Sequence, residues 1–136
     1  MLNRRGFASC ALCAAVGLVA SSGDGVSQVT PGFKRTILQK TEYPGDKHVC
    51  ILAVVDVEPN ALIPRHTHPG VESAFFQSGG GTLSVKGQAD RLMKAGDGGQ
   101  VPPETPHSLR NGPEASRIVV TWIVEKDKPL ASPAPE

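Results

Sequence analysis

The amino-acid sequence predicts an all-β domain, either a sandwich or a barrel, and three observations favour this fold class. After residue 30, apolar residues occur in short runs that are separated by turn-forming residues. No segment of that region repeats its apolar residues at the 3.6-residue spacing of an amphipathic helix. The chain also contains 15 glycines and 12 prolines in 136 residues, as expected where tight turns are numerous. We therefore expect one β-rich domain.

The first 27 residues are predicted to be a cleavable export signal that precedes this domain. A positively charged start, Asn3–Phe7, is followed by an apolar run, Ala8–Ala20, and then by small residues. The run is shorter than the roughly 20 residues that span a bilayer, but it suits the apolar part of a signal peptide. The pair Arg4-Arg5 followed by Phe7 resembles a twin-arginine signal, and an ordinary secretory signal is the alternative. Both routes predict a periplasmic or secreted bacterial protein that has no membrane partner after processing.

The remaining chain has balanced charge and one cysteine. It carries 12 basic and 12 acidic residues without a basic run, so nothing in it favours nucleic acid or an anionic membrane as a partner. Cys10 and Cys13 lie in the signal, which leaves Cys50 without a partner for an internal disulfide. Because Cys50 lies within an apolar run, we expect it to be a small buried side chain.

Nine strands are predicted in the domain, which we place at residues 28–125. The most apolar of them, His48–Val57, is expected to be central and buried. Residues 126–136 are proline-rich and lack apolar periodicity, so we expect a loose C-terminal tail. The predicted strands are Arg35–Gln39, His48–Val57, Arg65–His68, Glu72–Gln77, Thr82–Val85, Ala89–Met93, Gln100–Val101, His107–Asn111 and Ala115–Glu125.

Three of the four histidines, together with one glutamate, form a candidate metal site. Successive side chains of a strand alternate between its faces, so His66 and His68 project to the same side. Pro69-Gly70 then turns the chain, and Glu72 opens the next strand. Imidazole and carboxylate groups from adjacent strands are suitable ligands for a divalent transition metal. The alternative is that these residues line a polar barrel interior without a metal.

The spacing of these residues resembles the two motifs of the cupin family. His66, His68, Glu72 and Gly79 match the first motif, and Gly96, Pro102, His107 and Asn111 match the second. The resemblance extends over residues 34–124 and implies a single double-stranded β-helix, the cupin jelly-roll barrel. It also implies that His66, His68, Glu72 and His107 are the metal ligands, and family and size together lead us to expect a homodimer.

Two positions depart from the family pattern, and a third stretch differs in bulk. Asn60 and Glu104 stand where the motifs have glycine; asparagine tolerates a left-handed backbone, whereas Glu104 would be strained there. Gly98–Val101 replaces residues that are bulky and apolar in similar exported cupins. This loss of bulk leads to the hypothesis of a roomier cavity or a poorly ordered strand.

Several functions are compatible with this resemblance, because a fold does not determine an activity. The first is a metal-dependent dioxygenase or other oxidoreductase that acts on a small oxygenated molecule, with Glu72 as a transient catalytic base. The second is a non-enzymatic module that binds a metal or a small ligand, and the third is a decarboxylase or isomerase. The ion is expected to be Mn, Fe, Ni or Zn; a tetrahedral zinc with four protein ligands would close the site.

The neighbouring residues have simpler expected roles. His48 begins a strand beside Lys47 and is expected at the surface. Arg65 should face away from the ligands by alternation, whereas Ala74 and Phe76 should share the face of Glu72 and border a pocket. A folded precursor carried by the twin-arginine route could bind Mn or Fe before it meets Cu or Zn outside the cytoplasm. This link between export and metal choice is a hypothesis.

Overall fold

The computed structural model describes residues 27–135, so almost all of the predicted signal segment lies outside the described residues. The described chain is all-β, as predicted, and contains eleven strands and no helix. In particular, it contains no helix long and apolar enough to cross a membrane. The strands are β1 Ser27–Thr30, β2 Phe33–Glu42, β3 His48–Val57, β4 Leu62–Thr67, β5 Gly70–Ser78, β6 Gly80–Val85, β7 Arg91–Lys94, β8 Gly98–Val101, β9 His107–Asn111, β10 Ser116–Glu125 and β11 Ser132–Pro133.

Two antiparallel sheets face each other and form the predicted jelly roll. The larger sheet has the order β1-β2-β3-β10-β5-β8, and the smaller has the order β11-β4-β9-β6-β7. The central pair of the larger sheet, β3 and β10, is in register over its whole length, from Ser116 opposite Val57 to Glu125 opposite His48. Alternate residues of these two strands point between the sheets and form most of the apolar core, together with Phe76, Met93 and Leu109.

Strands β3 and β9 have the predicted bounds, and the others differ by a few residues at their ends. Two strands were not predicted. Strand β1 pairs with β2, and β11 pairs with β4 through Ser132 opposite Thr67 and Pro133 opposite His66. The tail, predicted to be loose, is therefore attached to the smaller sheet. Sequence patterns miss this because a two-residue edge strand containing proline has no periodicity of its own.

Both departures from the motif glycines adopt the backbone conformation that glycine would favour. Asn60 has φ 59° and Glu104 has φ 54°. Glu104 therefore retains the left-handed turn at some cost, because its Cβ is crowded in this region. The turn is fixed on one side by the Glu104 amide, which donates to the His68 carbonyl at 2.9 Å.

The end of the barrel away from the histidines is held by the side chain of Asn111. Its amide nitrogen donates to the carbonyls of Val57, Glu58 and Glu114 at 2.8–3.3 Å. Its oxygen accepts a hydrogen bond from the Ser116 hydroxyl. Because Asn111 is only 3% exposed, these bonds satisfy a buried amide that would otherwise be destabilising.

His48 and Cys50, both on β3, are half-buried. His48 begins β3, is half-buried and lies outside the histidine cluster. Cys50 is half-buried rather than fully buried, because even-numbered residues of β3 face the outside of the sheet while Val49 and Ile51 face the core. An apolar neighbourhood in the sequence therefore did not decide which face Cys50 occupies.

Candidate metal centre

The structure brings His66, His68, Glu72 and His107 together between the two sheets. Their ligand atoms all lie within 4.8 Å of one another. His68 and His107 are buried, at 2% and 3% exposure, and His66 and Glu72 are half-buried. The histidines come from β4, the β4–β5 turn and β9, whereas Glu72 comes from β5 of the larger sheet. The cluster can therefore form only when the two sheets pack.

Local backbone features explain how β4 and its turn present two histidines to the same point. The pairing of β4 with β9 shifts register between Ile63 and His66, after which His66 lies directly opposite His107. After the turn, Gly70 passes so close to β10 that a Cβ atom there would lie 2.0 Å from the carbonyl oxygen of Ile123. Only glycine permits this approach, so Gly70 determines the path of the turn that carries His68.

Each of the three imidazoles is oriented by a backbone carbonyl. The Nδ1 atoms of His66, His68 and His107 lie 2.7, 2.5 and 2.9 Å from the carbonyl oxygens of Pro64, Leu130 and Thr105, respectively. A carbonyl oxygen only accepts hydrogen bonds, so each Nδ1 carries the proton and donates it. In the neutral imidazoles the lone pair is then on Nε2, and hydrogen bonding of the other ring nitrogen is the usual support of a metal-binding histidine.

The Nε2 atoms are arranged in a way that requires a cation between them. Nε2 of His66 and Nε2 of His68 are 3.2 Å apart, and Nε2 of His68 lies 2.9 Å from Oε2 of Glu72. Nε2 of His107 is buried without a hydrogen-bond partner, 3.8 Å from the same oxygen. Lone pairs and a carboxylate at these distances repel one another unless a proton or a metal ion lies among them. The donor set therefore fits a divalent transition metal.

Trp122 holds the carboxylate of Glu72 in place. Its indole N–H donates to Oε2 of Glu72 at 2.8 Å, and the two residues are direct cross-strand neighbours on β10 and β5. Trp122 is 2% exposed, so the bond is shielded from water. This residue was missed at the sequence level, where the only signal was that the single tryptophan lies in a predicted strand.

The electrostatics of the cluster favour a charged carboxylate. Burial alone would raise the pKa of Glu72, but the imidazoles of His107 and His68 beside the carboxylate outweigh it and hold that pKa well below its ordinary value. Burial, together with the charge of His107, lowers the pKa of His66 to about 4. Burial acts to lower the pKa of His107 as well, but the Glu72 carboxylate raises it above the ordinary value. Of these two imidazoles, His107 is therefore the one that holds its second proton to higher pH, in competition with a metal ion.

A cavity of about 70 Å³ adjoins the cluster. His66, Glu72 and His107 form one wall, and most of the other lining residues are apolar. Ala74 and Phe76 both line this cavity, as predicted. The cavity thus brings an apolar space directly against the side chains that can hold a metal.

Gly99 and Arg35 are two further residues of the cavity lining. Gly99 borders the cavity, and a Cβ there would meet only ordinary contacts, the nearest at 3.5 Å. Strand β8, which carries Gly99, is paired with β5, and whether the missing bulk makes the cavity roomier stays a prediction. Arg35 also lines the cavity and was not identified from the sequence, where it was simply part of a predicted strand.

Comparison with protein-family models identifies one match. The model described as Cupin domain matches residues 53–124, which is just over half of the chain and includes all four residues of the cluster. No curated protein matches the sequence at a significant level.

Several solved structures share the fold at low sequence identity. The DMSP lyase DddQ from Ruegeria pomeroyi DSS-3 is 19% identical with a TM-score of 0.68; the match covers 81% of this chain and 61% of that one. An RmlC-like cupin from Shewanella frigidimarina is 18% identical with a TM-score of 0.62, covering 76% and 86% of the two chains. The oxalate decarboxylase of Lactobacillus farciminis, solved with formate, is 21% identical with a TM-score of 0.60, covering 74% and 31%. The chain thus spans less than two thirds of the two named enzymes.

Proposed function

The chain belongs to the cupin family, and from this premise we propose that it is an exported metal-binding cupin that converts a small oxygenated molecule, as a metal-dependent dioxygenase or related oxidoreductase. The observation that carries the proposal is the convergence of three imidazoles and one carboxylate beside a cavity that His66, Glu72 and His107 line. A tetrahedral structural zinc site would need no such space beside its ligands. We therefore favour an accessible metal centre.

The roles of the protein residues follow from their contacts. A divalent ion of the Mn, Fe, Ni or Zn type would act as a Lewis acid towards an oxygen of the bound molecule. His66, His68 and His107 would hold the ion through Nε2, with their rings fixed by the three carbonyls. Glu72, held by Trp122, would supply the negative ligand. The apolar remainder of the cavity would exclude bulk water from the bound molecule.

Acid–base chemistry independent of the metal has little support in this cavity. Apart from His66, Glu72 and His107, Arg35 is the only ionisable side chain among the described lining residues. Glu72 was expected to act as a catalytic base, but its depressed pKa and its bond to Trp122 favour a permanent ligand role. The absence of a separate acid or base along the described lining favours chemistry centred on the metal.

The two alternative functions are a lyase or decarboxylase and a non-enzymatic binding protein. A lyase or decarboxylase is the second candidate, because proteins named as DMSP lyase and oxalate decarboxylase share the fold. A non-enzymatic metal or small-ligand binding protein would use the same four residues. Neither alternative explains the site better than metal-centred oxidation, and all three share the metal.

The proposal is tested by metal content and oxygen consumption. We expect the purified protein to hold one ion per chain, His107→Ala to lose it, and His48→Ala, a histidine outside the cluster, to keep it. Oxygen uptake is then measured with catechols, flavonols and β-diketones. Equal metal content in the wild type and in His107→Ala would refute the proposed metal site. A metal-loaded protein that consumes no oxygen with these compounds would favour the non-enzymatic binding protein. Release of carbon dioxide or an alkene without oxygen consumption would favour a lyase or decarboxylase.

Export and dimerisation are parts of the proposal with separate support. The segment Asn3–Phe7 and the apolar run after it support export. Recovery of copper or zinc with the protein from its native compartment would contradict the hypothesis that Mn or Fe is bound in the cytoplasm.

On the outer face of the larger sheet, Leu38, Leu52 and Phe75 are 53%, 37% and 48% exposed, which supports burial against a second copy. Light scattering of the wild type and of Phe75→Glu tests this; a monomeric wild type would exclude the dimer.

A further inference from the structure

Two arginines, Arg35 and Arg65, line a groove beside the candidate metal centre together with His66. Arg35 on β2 is paired with Val55, whose side chain is in the core, so Arg35 also points between the sheets. Arg35 lines the metal-site cavity, and Arg35, Arg65 and His66 together line an adjoining groove of about 250 Å³. The cavity and the groove thus share a histidine and a guanidinium group.

The guanidinium group of Arg35 is held in place but is only partly satisfied. Its central carbon lies 5.2 Å from the centroid of the Trp122 ring, and Nη1 donates to Oε1 of Gln28 at 3.0 Å. Nε is buried without a hydrogen-bond partner, and the same holds for Nε of Arg65. Burial lowers the pKa of Arg35, and the charge of Glu72 opposes this shift. A half-buried guanidinium with a free donor is costly, which calls for a further partner.

No carboxylate in residues 27–135 forms an ion pair with either arginine. Glu72 is the acidic group whose charge acts on Arg35, but as a metal ligand it would be engaged by the ion. A divalent ion, one carboxylate and two guanidinium groups leave an excess of positive charge around the cavity. Because the rest of the lining is mainly apolar, the missing anion has to come with the bound molecule.

We infer that Arg35, assisted by Arg65, binds the carboxylate of a small organic acid whose opposite end reaches the metal centre. This inference rests on the proposed function and adds the chemical class of the substrate. A guanidinium presents its N–H groups in a planar fork that matches a carboxylate. The cavity of about 70 Å³ is well below the roughly 300 Å³ of pockets for drug-sized ligands. The part of the acid that enters this cavity is therefore small.

The experiment separates carboxylate binding from metal binding. The protein is titrated first with Co²⁺ and then, at saturating Co²⁺, with malonate, succinate and benzoate and with the corresponding amides, by calorimetry. The variants are Arg35→Gln and Arg65→Gln. The matched control is Arg117→Gln, because Arg117 is exposed on the outer face and paired with Asp56 at 2.9 Å. Thermal melts of each variant exclude loss of fold as the cause.

We expect Arg35→Gln to weaken binding of the carboxylates about 10-fold or more, with Co²⁺ affinity unchanged. Arg65→Gln should weaken it less, and Arg117→Gln not at all. Unchanged carboxylate affinity in folded Arg35→Gln and Arg65→Gln, equal binding of amides, or no carboxylate binding by the wild type would overturn the inference. If the wild type bound no Co²⁺, the proposed function would fail by itself. Titration of the metal-free protein with the carboxylates would then test the arginine site separately. Carboxylate binding that depends on Arg35 would support this site, and the absence of such binding would refute it.

Discussion

Replacement of Trp122 by phenylalanine tests how much the Glu72 ligand depends on its buried hydrogen bond. The indole N–H lies 2.8 Å from Oε2, and phenylalanine removes this donor while keeping an aromatic ring. A hydrogen bond to a charged group contributes about 1.5–3 kcal/mol, which corresponds to roughly 10–150-fold in an equilibrium constant. Loss of such support for a metal ligand usually weakens metal affinity by about 10–100-fold. We therefore expect a loss of about 10-fold or more.

The assay compares metal affinity with stability, because the substitution also leaves a smaller side chain in the core. Co²⁺ affinity is measured by competition with a chelator, and the free energy of unfolding by urea denaturation. The control is Phe76→Leu: Phe76 is 3% exposed and lines the same cavity, but it has no polar group for Glu72. Both variants should lose stability, by about 1–3 kcal/mol, but only Trp122→Phe should lose affinity. Wild-type affinity in Trp122→Phe, or an equal loss in both variants, would refute the reasoning.

Three further outcomes follow from the described contacts. Metal affinity should fall as the pH is lowered through the raised pKa of His107, because the ion must displace the proton of that imidazole. His66, with a pKa of about 4, should add no pH dependence above about pH 5. A metal affinity that is constant between about pH 8 and pH 6 would contradict this. Glu104→Gly should raise the free energy of unfolding by about 1 kcal/mol, because glycine adopts the φ of 54° without strain. Glu114→Gly, at a position without positive φ, should lower the free energy of unfolding. Urea denaturation of the two variants measures both changes. Deletion of residues 129–136 removes β11 and the carbonyl that orients His68, and it should weaken Co²⁺ binding about 10-fold. Deletion of residues 134–136 alone should leave Co²⁺ binding unchanged. Equal Co²⁺ affinities of the two truncated proteins would show that the tail does not support the site.

The predictable part of this structure is the part encoded by local patterns. The spacing of His66, His68, Glu72 and His107 was enough to propose one site, and the apolar run His48–Val57 was enough to propose the central strand. Turn residues fixed the approximate positions of the other main strands. Local sequence carries this information because strand alternation and turn geometry involve only neighbouring residues.

The parts that could not be predicted depend on register between distant strands. Trp122 meets Glu72 because β10 and β5 pair in one register, and a shift by one residue would turn Trp122 to the outer face. Arg35 faces the cavity for a similar reason, through its pairing with Val55. Leu130 supplies a carbonyl to His68 from 62 positions along the chain. None of these contacts leaves a periodic signal in the sequence.

The three carbonyls that orient the histidines belong to the main chain, and every amino acid that could replace Pro64, Thr105 or Leu130 would bring the same oxygen atom. The aim of the imidazoles is therefore tolerant of point substitution at the supporting positions. It is vulnerable instead to inserted or deleted residues, which would move an oxygen away without altering any of the four ligands. Among relatives of this protein, changes in loop length near residues 64, 105 and 130 should thus predict loss of metal better than changes of residue type do.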